Sequence, residues 1–236
     1  MNNDTISLLD WSGRAFQLEN RQVFHTWVKA PYDVGTDPGY TPPCPTVSPR
    51  LRGKSSTLSR LVMEPFFELV TDNHLDPKSV DLVFASRYGE IRILESLLDA
   101  IYTSQPLSPL DFCNSVHHTP TGYLSIAAKN QQISRTVSAG ANTFGAGLVE
   151  VWQLLQTRRS KCVALLIGDE SVPAFFVSDD TFAYGMALLF GLPEMAVAND
   201  PVSAIPISLQ QILDTHRSST SPFTWLRSLP PAGSEQ

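Results

Sequence analysis

The sequence predicts an α/β fold in which helices cover a mixed, largely parallel sheet. Two near-continuous apolar runs of strand length, residues 80–87 and 162–168, are typical of strands buried on both faces. Segments with apolar residues at helical spacing follow several of the predicted strands, and this alternation favours a sheet with helices packed on it. With 236 residues and 42% apolar content, the chain is long enough to form one packed domain over residues 1–236.

The first part of the chain is predicted to contain one strand and two helices around a long loop. Residues 6–11 favour a strand and residues 23–29 a short helix. Six prolines between residues 31 and 49 disfavour both helix and sheet, so this segment is predicted to be a surface loop. The next helix begins at Ser56, with apolar residues at helical spacing: Leu58, Leu61, Val62, Phe66 and Leu69.

The rest of the chain is predicted to alternate between strands and helices until a hairpin and two final helices. The predicted strands are 80–87, 133–138 and 162–168, and the predicted helices are 91–102 and 145–156. A hairpin of residues 173–177 and 182–190 is expected next, followed by helices at 205–216 and 222–229 and a frayed tail at 230–236.

The stretch "SAGANTFG", residues 138–145, forms a tight turn between a predicted strand and a predicted helix. Free N–H groups and the helix dipole at such a helix N-terminus stabilise a thiolate or an oxyanion, so this layout is typical of a turn that presents a nucleophile. The turn offers Ala141, Asn142 and Thr143 but no cysteine. It therefore has the form of an active-site turn without the reactive atom.

Charge and cysteine usage exclude several classes of protein. The net charge of −6 comes without long runs of either sign, so nucleic-acid binding is not expected. Three cysteines without a C-x-x-C spacing argue against a zinc site or a disulfide framework and favour a reducing compartment. No basic leader and no run of about 18 apolar residues occurs, so we expect a cytoplasmic protein without a membrane span.

Other short motifs do not match known sites. The glycines of residues 140–147 have neither dinucleotide-binding nor P-loop spacing, and "GDESV" at 168–172 is not a serine-hydrolase elbow. His117 and His118 should point in opposite directions and cannot chelate one ion. We therefore expect no metal and no cofactor. A basic cluster on this acidic protein is either a solvated face or a dock for an acidic partner: Arg50, Arg52, Lys54 and Arg60.

Three segments carry a resemblance to a known family: "VFASRYGEI" (83–91), "SPLDFCNSVHHTPTGYLSIA" (108–127) and the strand-turn-helix of 133–155. They resemble the N-terminal half of β-ketoacyl-acyl-carrier-protein synthases. They are most similar to short synthase-like proteins grouped with chain-length factors in aryl-polyene and related type II polyketide or fatty-acid-like pathways. The resemblance implies a thiolase-like fold, of which this chain would form only the N-terminal half.

In such synthases the nucleophilic cysteine lies in the turn. Counting from residues 122–126 places its equivalent at Ala141, whereas matching the small residues that follow it places it at Asn142. Neither side chain can attack a thioester, because an alkyl group has no lone pair and that of an amide nitrogen is delocalised. The two histidines that bind and decarboxylate malonyl-carrier belong to the family's second half, so the resemblance implies a subunit without condensing activity of its own.

The resemblance also implies a partner, an active β-ketoacyl synthase that forms a heterodimer with this chain. Acyl carrier protein would be a second partner, which contacts this chain through the complex. Phe112, Cys113 and Val116 fall in the segment that lines the partner's acyl tunnel. The edge strand before the turn, with Ile133, Arg135 and Val137, would pair with its counterpart in the partner. A large apolar surface is expected where the second half would pack.

Two other functions remain open. The first is an independent thioester hydrolase or malonyl-thioester decarboxylase that uses Asn142, Ser138 or a histidine in the same pocket. The second is a carrier-protein docking module that uses the basic cluster.

Overall fold

The computed structural model describes residues 5–37, 39–157, 160–173, 176, 182–193 and 204–230. The strands are β1 (Thr5–Ala15), β2 (Asp81–Ala85), β3 (Ser134–Val137), β4 (Cys162–Asp169), β5 (Tyr184–Gly191) and β6 (Ile205–Ser208). The helices are α1 (Arg21–Lys29), α2 (Pro49–Arg52), α3 (Thr57–Asp72), α4 (Ile91–Tyr102), α5 (Pro109–Asn114), α6 (Thr119–Ala128), α7 (Thr143–Gln156), α8 (Leu209–Arg217) and α9 (Pro222–Ser228). Short 3-10 turns occur at Pro77–Ser79 and Gly140–Asn142.

The strands form one mixed sheet in the order β3-β2-β4-β5-β1-β6. β2 pairs parallel with β3 and β4, whereas β4–β5, β5–β1 and β1–β6 are antiparallel. The predicted α/β fold with a mixed sheet is confirmed, and parallel pairing is confined to the β3-β2-β4 side. β3 lies at one edge of this sheet and β6 at the other.

Helices cover both faces of the sheet, which explains the continuous apolar runs. Along β2, Leu82 and Phe84 pack into a core beneath α3 and α6, and Val83 and Ala85 pack into a second core beneath α1, α7, α8 and α9. Successive side chains of a strand point to opposite faces, so a strand covered on both sides must be apolar throughout. β4 and β5 are likewise buried along almost their whole length.

Three predicted elements differ in the structure. The first strand extends to Ala15 and lies between β5 and β6. The helix predicted over 205–216 was wrong at its start, because Ile205–Ser208 pairs with β1 as β6 and the helix begins at Leu209. The predicted hairpin was also wrong, because β5 pairs with β4 and with β1 and so has no edge left for residues 173–177. Of that predicted arm, residues 174, 175 and 177 lie outside the described residues.

In the proline-rich segment, residues 31–37 and 39–48 form no helix or strand before α2 begins at Pro49, which agrees with the predicted loop. Val34, Cys44 and Val47 on this loop are nevertheless buried, and the Cys44 amide donates to the Glu64 carboxylate of α3 at 3.0 Å. The loop is therefore fastened to the core. The predicted frayed tail at 230–236 lies, apart from Pro230, outside the described residues.

The outer face of α7 is covered by the chain's own C-terminal helices. Phe144 contacts Trp225 of α9 edge-to-face, with ring centroids 5.4 Å apart. Gly145 allows α8 to approach closely, because a Cβ atom there would lie 2.3 Å from the His216 Cα. The face of α7 that carries Phe144 and Gly145 is therefore buried within this chain.

Among the described residues, no helix is both long and apolar enough to cross a membrane.

Candidate functional site

The turn between β3 and α7 is held by local hydrogen bonds. The Thr143 hydroxyl accepts from the Ala139 amide at 2.9 Å and donates to the Gly140 carbonyl at 2.7 Å. Gly140 has φ +57, a left-handed conformation that favours glycine. The Asn142 amide donates to the Ala139 carbonyl at 3.0 Å, which closes the short 3-10 turn. The turn thus delivers the chain to the N-terminus of α7, as the sequence predicted.

The two residues that could stand at the nucleophile position face different surroundings. Ala141 lines a cavity of about 390 Å³ beside the turn. Asn142 does not line it, and its side-chain oxygen instead accepts a hydrogen bond from the Ser219 hydroxyl. Of the two candidate positions, only Ala141 lines the cavity, together with Gly140 and Thr143 of the same turn.

Ser138, a nucleophile in the alternative hypothesis, has no base beside it among the hydrogen bonds of the described residues. Its hydroxyl donates to the Arg87 carbonyl at 3.2 Å. The His117 Nε2 is 3.0 Å from the Ser86 carbonyl oxygen, and the His118 Nδ1 is 2.7 Å from the Thr136 hydroxyl. The two histidines thus bind separate partners, as their adjacent positions predicted.

The cysteines lie away from the turn. Cys113 is exposed on α5, whereas Cys44 and Cys162 are buried. Burial raises the pKa of the Cys44 thiol and that of the Cys162 thiol to about 12, so both stay protonated at neutral pH. Neither buried thiol can replace a nucleophile in the turn.

The cavity beside the turn is lined by two acidic residues, Asp169 and Glu170, which the sequence patterns did not indicate. Asp169, at the end of β4, accepts from the Ser86 hydroxyl at 2.7 Å and from the Tyr88 amide at 2.9 Å. Burial raises the pKa of Asp169, and these hydrogen bonds, together with one from the Arg87 amide, oppose the rise. A carboxylate directly after a buried parallel strand is the sequence signal that would have indicated this position.

Two further carboxyl groups are buried beside it. Burial raises the pKa of Glu170 to about 7 and that of Glu90, which precedes α4, to about 8. One Glu90 oxygen accepts from the Ser56 hydroxyl at 2.6 Å, and the other has no hydrogen-bond partner within the described part of the chain. The repulsion between Glu90 and Glu170 adds to the rise in the Glu90 pKa.

This pair predicts that stability decreases as the pH rises. Both folded-state pKa values lie above the ordinary glutamate value. The free energy of unfolding is therefore highest below about pH 4.5 and decreases as the pH rises through about 8, because ionisation of these groups favours the unfolded state. Glu90→Gln should flatten this decline and stabilise the protein at pH 8.5 by roughly 2 kcal/mol. Calorimetric melting at pH 5.5, 7 and 8.5 measures the effect, with the exposed Asp99→Asn as the control. An equally steep decline in Glu90→Gln would contradict the assignment.

The edge strand β3 exposes backbone groups of alternate residues. The Ile133 and Val137 carbonyls accept from amides of β2 and of the residue after it, at 2.8 and 3.2 Å. In a parallel pair, alternate residues direct their backbone groups to the same neighbour, so those of Ser134 and Thr136 face the open edge. Nothing in the described sheet pairs with this edge.

The side chains of β3 divide between the two faces of the sheet. Ile133 and Val137 pack against the core beneath α7, and Arg135 forms an ion pair with Glu150 of α7. On the other face, Thr136 contacts His118. The three residues predicted at the partner interface are thus half-buried within this chain, while the open edge itself belongs to Ser134 and Thr136.

Most of the large exposed apolar side chains of the described residues lie between residues 94 and 126. Helix α4 carries apolar residues at helical spacing, yet only Ile91 and Leu97 are buried, and Ile101 is 61% exposed. Helix α5, which contacts α4, exposes Phe112 by 66%. We call the following residues the α4–α5 apolar patch: Leu94, Leu98, Ile101, Leu110, Phe112 and Val116.

The predicted tunnel residues are brought together at one end of this patch. Phe112 and Cys113 are exposed on α5, and Val116, 56% exposed, follows in the turn before α6. The same turn places His118 against Thr136 of β3. Through this contact the segment that contains Val116 is connected to the edge strand β3.

Comparisons with known proteins agree with this architecture. Residues 24–222 match the family model of the β-ketoacyl synthase N-terminal domain. A comparison with curated protein sequences finds none that matches. Among solved structures, the chain is similar to one described as a ketosynthase (ApeO) in complex with its chain length factor (ApeC) from Xenorhabdus doucetiae. The match has 25% sequence identity and a TM-score of 0.67, and it covers 80% of this chain and 79% of that chain. These nearly equal shares mean that the two matched chains are similar in length.

Two more distant structures share the fold. The ishigamide ketosynthase/chain length factor matches with 17% identity and a TM-score of 0.66, covering 86% of this chain and 65% of that one. A β-ketoacyl synthase from Burkholderia phymatum STM815 matches with 10% identity and a TM-score of 0.66, covering 86% and 63%. The chain thus spans less than two thirds of the length of these two. Because the family model covers most of the chain and the fold agrees with it, the chain belongs to the β-ketoacyl synthase N-terminal domain family.

Proposed function

We propose that this chain is a non-catalytic, chain-length-factor-like subunit that pairs with an active β-ketoacyl synthase and shapes its acyl tunnel. The observation that carries the proposal is that the turn before α7 holds Ala141 and Asn142, the two candidates for the nucleophile position, and no cysteine. Neither side chain can form a thioester, so the acyl chain must be held by another subunit. The setting we propose is cytoplasmic polyketide or fatty-acid-like biosynthesis of the aryl-polyene type.

The open edge of β3 supports a partner with the same fold. An unpaired edge strand is a template for another strand, and two such edges can join two sheets into one. The structure from Xenorhabdus doucetiae, to which this chain is similar, is described as a ketosynthase with its chain length factor. We therefore propose that Ser134 and Thr136 pair with the ketosynthase edge and that Ile133, Arg135 and Val137 flank the junction.

The α4–α5 apolar patch supports the same partner. Monomeric proteins rarely expose large contiguous apolar surfaces, and aromatic side chains such as Phe112 are typical anchors of interfaces. Burial of this patch would place Phe112, Cys113 and Val116 at the wall of the partner's acyl tunnel.

Co-expression with a ketosynthase of the same biosynthetic type, purified on a tag on that ketosynthase alone, tests the pairing. We expect the wild-type chain to co-purify and Ile101→Asp to be lost, because a charge would be desolvated in the interface. The matched control is Tyr32→Asp, at an exposed apolar residue in the proline-rich loop, which should co-purify normally. Equal recovery of all three chains would argue against the patch as the interface.

We further propose that acyl carrier protein reaches the complex near the basic cluster. Arg50, Arg52, Lys54 and Arg60 form no ion pair within the described residues. The Lys54 carbonyl accepts from the Asn114 amide and from the Tyr123 hydroxyl, both at 2.9 Å, so the cluster adjoins α5 and α6. Arg52 and Arg60 donate to backbone carbonyls, but none of the four cations has an acidic partner within the described residues, so the cluster would attract the acidic surface of a carrier protein.

The absence of a nucleophile in the turn predicts that the isolated chain is not acylated. Incubation with acyl- and malonyl-carrier thioesters should leave its intact mass unchanged, and cerulenin should not label residues 138–145. The cysteine-bearing partner is the positive control. An adduct in the turn, or turnover of the thioesters by this chain alone, would support the alternative of an independent thioester hydrolase or decarboxylase.

Substitutions of Val116 are expected to change the length of the products. Because this side chain is 56% exposed in the isolated chain, Val116→Phe should not overpack the core. In the complex it should fill tunnel volume and shorten the products, while Val116→Ala should lengthen them. Mass spectrometry of the products at matched complex yield measures both. Unchanged lengths in both variants would place Val116 away from the tunnel.

A further inference from the structure

A second and larger cavity, of about 870 Å³, lies between β1, α1 and the C-terminal end of α9. It shares no lining residue with the cavity beside the turn, and β1 is four strands away from β3 in the sheet. Its volume falls within the range typical of pockets for small organic ligands. Its apolar lining is aliphatic: Leu8, Leu9, Val28, Ile205, Leu226 and Leu229.

The acidic group of this cavity is already neutralised. Asp10 accepts from the Trp11 amide at 2.9 Å and from the Asn73 side-chain amide at 2.8 Å. Arg21 pairs with Asp10 and also with Asp72. The hydrogen-bonding capacity of Asp10 is therefore largely used within the protein, and it offers little to a ligand cation.

A stacked pair of rings forms a rigid part of the wall. The His25 ring lies against the Trp11 indole, with centroids 3.6 Å apart and an interplanar angle of 17°. The His25 Nε2 is 2.9 Å from the Trp11 carbonyl oxygen and must donate, because the carbonyl can only accept. Both rings are thus fixed before any ligand binds.

The two remaining cations of the lining have no acidic partner. Within the described residues, neither Lys29 nor Arg227 forms an ion pair, and Arg227 uses only its Nε, which donates to the Phe223 carbonyl at 3.2 Å. These two exposed cations on an acidic protein lie beside an aliphatic lining. Such a combination is complementary to a molecule with an apolar chain and one negative charge.

We propose that this cavity binds an aliphatic carboxylate, with the carboxylate held by Lys29 and Arg227 and the chain lying on the aliphatic lining against Trp11. The site is separate from the proposed tunnel wall and requires no partner subunit. Its ligand class is set by charge and shape, because a neutral chain would leave both cations unpaired and a short carboxylate would leave the lining hydrated.

Calorimetric titration of the full chain with dodecanoate, below its aggregation concentration, tests the proposal. We expect one binding equivalent, with no detectable binding of acetate or of dodecyltrimethylammonium. The double variant Lys29→Glu/Arg227→Glu should bind about tenfold more weakly or worse. The charge-matched control Lys78→Glu/Lys161→Glu, at exposed positions elsewhere, should bind like the wild type.

Tryptophan fluorescence locates the site. Dodecanoate should change the emission of the wild type but have a much smaller effect on Trp11→Phe, which should still bind in the calorimeter. Equal binding of dodecyltrimethylammonium, several equivalents of dodecanoate, or an unchanged affinity in Lys29→Glu/Arg227→Glu would each overturn the proposal. Failure of the ketosynthase pairing would leave these outcomes unaffected, because they are measured on this chain alone.

Discussion

Thr136→Pro is expected to abolish association with a ketosynthase while leaving this chain folded. The backbone of Thr136 faces the open edge of β3, so proline removes a donor that only a partner strand could use, and its ring blocks the approach of that strand. Val137→Pro should behave differently, because the backbone of Val137 faces β2 and the substitution breaks the internal ladder.

The matched control for this variant is Thr136→Val, which removes the hydroxyl that contacts His118 but keeps the backbone amide. Circular-dichroism melting and co-purification should together give a folded, unbound Thr136→Pro and a folded, bound Thr136→Val. The edge-pairing model fails if Thr136→Pro binds the ketosynthase as well as Thr136→Val does.

Gly145→Ala is expected to destabilise the protein by about 2 to 3 kcal/mol, although alanine is the better helix former. A Cβ atom at Gly145 would lie 2.3 Å from the His216 Cα, which is backbone and cannot turn aside. Helix α8 would have to move off α7, and the core that α8 and α9 close would open.

Gly122→Ala is the matched control, because Gly122 is also inside a helix, α6, and no atom lies within 4 Å of where its Cβ would be. This variant should be more stable than the wild type by about 0.5 to 1 kcal/mol. Urea unfolding measures both free energies. A stabilised Gly145→Ala would mean that α8 does not pack on α7 in this way.

The strands and helices with strong periodicity were predictable from the sequence. Residues 80–87 and 162–168 were predicted within a few residues of β2 and β4, and residues 91–102 match α4, because continuous apolar runs and apolar residues at helical spacing are clear sequence patterns. The turn before α7 was also predictable from its small residues.

Other features depend on contacts between distant parts of the chain. The second half of β1 contains Ser12 and Arg14, which are buried only because Glu64 and Glu68 of α3 bind them. Periodicity cannot reveal such pairing, so the predicted strand ended too early. Likewise, the apolar spacing of α4 indicates a helix but does not tell which of its apolar residues pack in the core. Ile101 belongs to this stripe and is nevertheless exposed.

The most direct test of the account is condensing activity of a purified ketosynthase with and without this chain, with the mass of each sample determined by light scattering. We predict a one-to-one complex whose extended products form only when both chains are present, and no products from this chain alone. A ketosynthase that remains separate in the mixture and forms the same products in the absence of this chain would contradict the central claim.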